Sequence, residues 1–259
     1  MLRRTILAPM CTVLFCTVLF CTGLLGGLLG PSAAQAADFT PAQRAEIVTI
    51  LREAMRQDPS ILRDAIEAMR ADESRQQVEG ARAAIAAVRG QLIDPADHVL
   101  GNAKGDVTVV EFFDIRCGYC RKLQPAMAEL LRRDPNIRLV LKDLPILGPP
   151  SMLGARALMA AQAQGGYAKL RELLMSQATP PSRETLRADA QRLGMDAERL
   201  LREMDSAAIT TRLDANLALA ARLGIQGTPA MVIGDTLIPG AVEVADLQQA
   251  VQQARAAGR

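Results

Sequence analysis

The chain opens with an apolar run that has no polar counter-face. From Thr5 to Gly30 almost every position is hydrophobic or small, behind Arg3 and Arg4 and ahead of Pro31. From Thr40 the pattern becomes helical, with Ile47, Ile50, Leu51, Ala54 and Met55 recurring at three- and four-residue spacing. Thr40-Pro41 supplies an N-cap and a proline at the first helical position, and Asp58-Pro59 breaks the helix. Ile61, Leu62, Ala65, Ile66 and Met69 continue the pattern in a second helix. Two short amphipathic helices cannot bury their stripes alone. They need the main domain, each other, or copies from other chains. Residues 73–89 carry only Val78, Ile85 and Val88 among Ala, Gln and Arg, with glycines at 80 and 90. They read as a helical linker, partly exposed or lying on the main domain.

After Gln91 the grammar changes. Val107–Phe113 is a buried-strand run, Cys117–Arg133 a helix containing Pro125, and Ile137–Lys142 a second strand. Residues 151–223 form Ala/Leu/Arg helices punctuated by Gly165-Gly166, Pro180-Pro181 and Gly194. A strand at Ala230–Ile233, a Gly234-Asp235 turn, a short strand at Leu237-Ile238 and a helix from Val242 close the chain. Strand, helix, strand, helical block, hairpin and helix predict an α/β sheet with helices on its faces.

The leading run reads as an export signal over residues 1–36, with Ala34-Gln35-Ala36 as the cleavage pattern. Its length also suits an uncleaved membrane anchor. Cleavage would leave 223 of the 259 residues, with 28 basic against 28 acidic side chains. Such a balance excludes a nucleic-acid footprint. Trp is absent and aromatics are 3%, which argues against stacking platforms for sugars or bases. One histidine excludes a His-rich zinc or haem site.

Cys11, Cys16 and Cys21 fall in the leader, so the exported chain would enter an oxidising compartment with Cys117 and Cys120 alone. A C-x-x-C pair is too close to staple a fold. It also supplies only half of a zinc site, and His98 cannot complete four ligands. At the start of a helix, Cys117 meets unpaired N–H groups and the positive end of the helix dipole, which favours a thiolate at an exposed tip. Cys120, one turn further in, is the expected buried resolving thiol. Arg116 and Arg121 add positive potential, and both are expected to be solvated.

The segment Val110-Glu-Phe-Phe-Asp-Ile-Arg-Cys-Gly-Tyr-Cys-Arg-Lys resembles the active-site region of the DsbA-like thiol:disulfide oxidoreductases. That resemblance implies a thioredoxin fold with an inserted helical domain, and a Cys117–Cys120 redox disulfide without a cofactor. Gly227-Thr228-Pro229 resembles the family's cis-proline loop. Thr228 and Pro229, with Gly118 and Tyr119, are then the expected client-binding positions, reached by β-augmentation. Glu111 matches the partly buried acid that in this family helps move the proton of the buried thiol; a surface glutamate is the alternative. Asp114 is expected to be solvated, and His98 to be an exposed loop histidine.

Residues 40–69 are similar to the N-terminal segment of the suppressor-of-copper-sensitivity C (ScsC) proteins, periplasmic DsbA-like proteins that use it to trimerise. Com1-type surface antigens carry similar segments. The resemblance divides the chain into a signal (1–36), a helical oligomerisation segment (37–71), a helical linker (72–90) and a catalytic domain (91–259) with its insertion at about 150–223. Gly-Tyr between the cysteines lacks the histidine of the strong oxidases, and Thr228 before the proline resembles the isomerases. The expected activity is therefore disulfide isomerisation or reduction on misfolded exported proteins, by a periplasmic homotrimer kept reduced by a membrane thiol reductant of the DsbD/ScsB type. Two other readings stay open: a monomeric DsbA-like dithiol oxidase, and a copper-tolerance protein binding Cu(I) through Cys117 and Cys120.

Overall fold

The computed structural model describes residues 39–258; the expected signal, with Cys11, Cys16 and Cys21, lies outside them. The chain forms two compact units, one ending at Ile61 and one from Leu62 onward. In the first, Thr40 caps α1 (Pro41–Gln57) in a reciprocal capping box. Its hydroxyl accepts the Gln43 N–H at 3.3 Å, while the Gln43 side chain accepts the Thr40 N–H at 2.9 Å. No residue of α1 is buried, and Ile47, Val48, Ile50, Leu51 and Met55 are all exposed. The apolar stripe is therefore uncovered in a single chain. Asp58 ends α1, and its carboxylate accepts the Ser60 N–H at 3.0 Å as α2 (Ser60–Val88) begins.

α2 runs unbroken through the stretch expected to be a linker. Ala, Glu, Gln and Arg are strong helix formers and carry the helix past Gly80, at a cost of about 1 kcal/mol relative to alanine. Its last turn is anchored, because Ile85 and Val88 are fully buried.

Among the described residues five strands form one sheet: β1 (His98–Gly101), β2 (Val107–Phe113), β3 (Ile137–Asp143), β4 (Ala230–Ile233) and β5 (Thr236–Pro239). Their spatial order is β1-β3-β2-β4-β5, with β2 and β3 parallel and the other neighbours antiparallel. β1 was not visible in the hydrophobic pattern, since three half-buried residues and an exposed glycine at a sheet edge carry too little alternation to stand out. β2 is central, and its period of two sends side chains to both faces. Val107, Val109 and Phe113 join a core with Leu123, Met127, Leu130, Leu247 and Val251; Val110 and Phe112 join a second core with Ile85, Val88, Leu219 and Leu223.

Between β3 and β4 the chain inserts α4 (Pro149–Gln162), α5 (Tyr167–Ser176), α6 (Arg183–Arg192), α7 (Ala197–Glu203) and α8 (Ala207–Arg222). The helix after β2, α3, spans Gly118–Arg133, and α9 (Val244–Ala256) packs beside it. This is a mixed α/β thioredoxin-type sheet with a helical insertion. α3 starts one residue later than its periodicity suggested, so Cys117 is the N-cap and not the first helical residue.

Candidate active site

β2 delivers the chain to the mouth of α3, and the loop Asp114-Ile115-Arg116 makes the turn. Asp114 holds that turn. It is 2% exposed, contrary to its expected solvation. One carboxylate oxygen accepts the Arg116 N–H at 2.8 Å and the Ser151 hydroxyl at 2.7 Å; the other accepts the N–H groups of Ile146 and Leu147 at 3.0 and 3.1 Å. Its carbonyl accepts the Cys117 N–H at 3.0 Å. A short acid three residues before a helix is suited to capture nearby backbone donors. Three of its partners, Ile146, Leu147 and Ser151, arrive from more than thirty positions away, which no local pattern reveals.

Cys117 is 7% exposed, not the open tip that its helix-start position suggested. The thiol is covered because it faces the loop before β4, donating to the Thr228 carbonyl at 3.1 Å. The Thr228–Pro229 peptide bond is cis. Cys120 lies one turn deeper with no exposure, and burial pushes its thiol well above the ordinary range. A hydrogen bond to the Asp114 backbone opposes that rise, the neighbouring Cys117 adds to it, and the Thr228 side chain opposes it. Cys117, Cys120, Thr228 and Pro229 thus converge. Both cysteines are free thiols in this structure. Gly118 opens α3 with empty space where a Cβ would stand, and Tyr119 is 63% exposed with the Lys122 ammonium 5.1 Å from its ring centre. Arg116 is half-buried, its guanidinium donating to the Ala178 carbonyl at 3.2 Å.

Glu111 is buried, which removes the surface-glutamate alternative. It sits on β2 opposite Leu141 and Met231. Burial raises its proton affinity, and Arg171 of α5, 3.4 Å away, partly offsets this. Among the described residues no hydrogen bond joins Glu111 to either cysteine. Arg171 also stacks 4.4 Å over the Phe113 ring. Beside it, Tyr167 donates to Asp143 at 2.8 Å, and burial pushes the Asp143 carboxyl up to about 7.

His98 is a further correction. It opens β1 and stacks on Tyr167 at 4.1 Å between ring centres, and desolvation followed by the charge of Arg171 lowers its pKa. Sequence reasoning missed Arg171, Ser151 and Tyr167 as neighbours of the site, because insertion helices that read as plain Ala/Leu/Arg helices bring them in. Among the described residues, no three His, Cys, Asp or Glu side chains are grouped to hold a metal ion.

A dithiol at the start of a helix, one sulfur against the carbonyl of the residue before a cis-proline and the other buried beneath it, on a thioredoxin-type sheet with a helical insertion, defines a thioredoxin-fold dithiol protein. The DSBA-like thioredoxin domain matches residues 108–252, more than half of the chain. The chain belongs to that family, whose members are thiol:disulfide oxidoreductases.

Solved relatives agree. The chain is similar to a thioredoxin-like oxidoreductase from Silicibacter pomeroyi DSS-3 at 43% identity, with 64% of this chain and 95% of that one covered and a TM-score of 0.61. It is similar to ScsC from Proteus mirabilis, in a transitional conformation, at 27% identity, with 84% and 99% covered and a TM-score of 0.61. Among curated proteins, the Na(+)/H(+) antiporter NhaA 3 of Salinispora tropica is 30% identical over 187 residues, which cover 69% of this chain and 29% of the antiporter. The chain thus spans less than a third of the length of the curated relatives it matches. Among the described residues no helix is long and apolar enough to cross a membrane.

Proposed function

We propose that this protein is a periplasmic thiol:disulfide interchange protein that isomerises or reduces disulfides in misfolded exported proteins. The observation that carries the reading is the Cys117 sulfur held 3.1 Å from the Thr228 carbonyl with the Cys120 thiol buried behind it. A client strand pairing with the Thr228 backbone would bring its disulfide to the Cys117 sulfur.

Cys117, as thiolate, attacks one sulfur of the client disulfide. A new S–S bond forms and the other client sulfur leaves as thiolate. In isomerisation that thiolate, or another from the client, attacks elsewhere and finally returns Cys117 as thiolate, with no net electron transfer. In reduction Cys120 loses its proton and attacks the Cys117 sulfur. The Cys117–Cys120 disulfide closes, the second client sulfur leaves, and two electrons pass to the client. The buried Cys120 thiol holds its proton tightly, so this step needs an acceptor. Glu111 is the proposed one, a buried carboxyl with raised proton affinity moderated by Arg171.

Gly-Tyr between the cysteines and Thr228 before Pro229 support the isomerase direction. Turnover then requires a membrane thiol reductant of the DsbD/ScsB type to keep the pair reduced. The uncovered stripe of α1 supports a homotrimer, in which several thiol pairs act on one client at high effective concentration. The leader supports export.

Replacing Cys120 by Ser tests the reading. The reduced Cys120→Ser protein should accumulate mixed disulfides with exported proteins through Cys117, resolved on non-reducing gels and lost in Cys117→Ser/Cys120→Ser. Absence of such adducts, with Cu(I) bound by wild type and lost from the variant, would replace exchange by metal carriage.

A further inference from the structure

A cavity of about 830 Å³ lies beside the active site, with α2 as one wall. Val78, Ala81 and Ala84 line that side; Ile225, Thr228 and Leu237 line the other. Thr228 belongs both to this cavity and to the thiol contact, since its carbonyl receives the Cys117 sulfur. A chain disulfide-bonded to Cys117 therefore begins at the edge of the cavity. We infer that the cavity is a client subsite: it takes the extended, apolar segment on one side of the client's attacked cysteine, and α2, expected to be only a linker, is half of that site. This inference rests on the exchange reading and adds to it where the client chain lies, against α2.

Three observations fit that occupant. First, the N–H groups of Gln226, Gly227 and Thr228 donate to no backbone carbonyl among the described residues, and Gln226 and Gly227 are exposed. An extended chain laid beside this loop brings backbone carbonyls to exposed donors. Second, Arg222 is the single charged side chain lining the cavity among the described residues. Its guanidinium is already engaged by the Gln91 side chain at 2.7 Å and the Ala87 carbonyl at 3.4 Å. The walls therefore favour uncharged chain over a small charged disulfide. Third, Val78 is 49% exposed on the α2 wall, an apolar side chain open to an incoming partner. The volume suits a few residues, within the range of about 300–1,000 Å³ usual for ligand sites.

The test uses the reduced full-length protein and mixed disulfides of cysteine with a chromogenic aromatic thiol. The cysteine is unextended, or extended by four apolar residues on its N-terminal or C-terminal side, and kcat/KM is read as the second-order rate constant of thiol release in a single turnover, for which the reduced Cys117–Cys120 pair supplies the two electrons. The expected result is a gain of at least tenfold from extension on one side only. In Val78→Asp and Gly80→Phe the ratio of extended to unextended kcat/KM should fall toward one. A Cβ at Gly80 meets nothing within 4 Å, so the second variant fills the groove without disturbing α2. Because the readout is a ratio within each variant, a general loss of activity does not mimic it. Wild type reacting with all three substrates equally, or variants keeping the wild-type ratio, would overturn the subsite and leave the exchange reading standing. No reaction with any substrate would overturn both.

Discussion

At the residue scale, the thiol pair and the buried carboxyls answer to burial more than to sequence position. Cys117 and Cys120 were legible because C-x-x-C at a strand-to-helix junction is a local signal. What surrounds them was not. Asp114 read as a solvated loop acid, yet it is buried and accepts four hydrogen bonds. Asp114→Ala leaves the Ser151 hydroxyl and the N–H groups of Arg116 and Leu147 without their partner, while Ile146 N–H keeps the Leu144 carbonyl, and should cost about 2–4 kcal/mol in denaturant unfolding. Ser151→Ala removes one donor and should cost about 1 kcal/mol.

The buried acids also make stability depend on pH. The Asp143 carboxyl is held at about 7 in the folded state, against about 4 when unfolded. The folded state then binds more protons across that window, so this group's contribution is present in full below pH ~4 and is lost as pH rises to ~7. His98, shifted downward, acts with the opposite sign below its unfolded pKa. Comparing wild type with Asp143→Asn isolates the first effect: the variant's loss of unfolding free energy between pH 4 and 7 should be smaller. An identical pH slope would show that Asp143 does not titrate there.

At the scale of elements, helix and strand order were readable because each period matched its element. β2 is a Val- and Phe-rich run interrupted only by Thr108 and Glu111, α3 a clear amphipathic helix, and the cis-proline position stood out from the sequence before β4. β1 and the continuity of α2 were not readable. β1 is held by its pairing with β3, and Ile85 and Val88 hold the end of α2 from the far face of the sheet. A catalytic fragment beginning at residue 91 would therefore lose two fully buried core side chains and should unfold at lower denaturant than one beginning at residue 62. Where α4 passes the active-site loop, a Cβ at Gly154 would stand 2.5 Å from Ile115 Cδ1. Gly154→Ala should cost about 1–3 kcal/mol through overpacking, measured by the same unfolding curves.

At the scale of the whole molecule, the chain pairs an enclosed catalytic unit with a helix that keeps its apolar residues in water. Leaving Ile50 and Leu51 exposed forgoes about 1.5–3 kcal/mol for each side chain that a partner would bury. In the proposed trimer copies of α1 recover it. Ile50→Glu/Leu51→Glu should convert the assembly to a monomer by light scattering, and an unchanged mass would remove α1 as the assembly element.

In the proposed function, Cys117 and Cys120 exchange disulfides in misfolded proteins. Reactivation of scrambled ribonuclease by the reduced full-length protein tests it most directly. Recovery of ribonuclease activity should run well above buffer, be abolished in Cys117→Ser and be lowered in the Ile50→Glu/Leu51→Glu monomer. Recovery no faster than buffer, or recovery that survives Cys117→Ser, would contradict it.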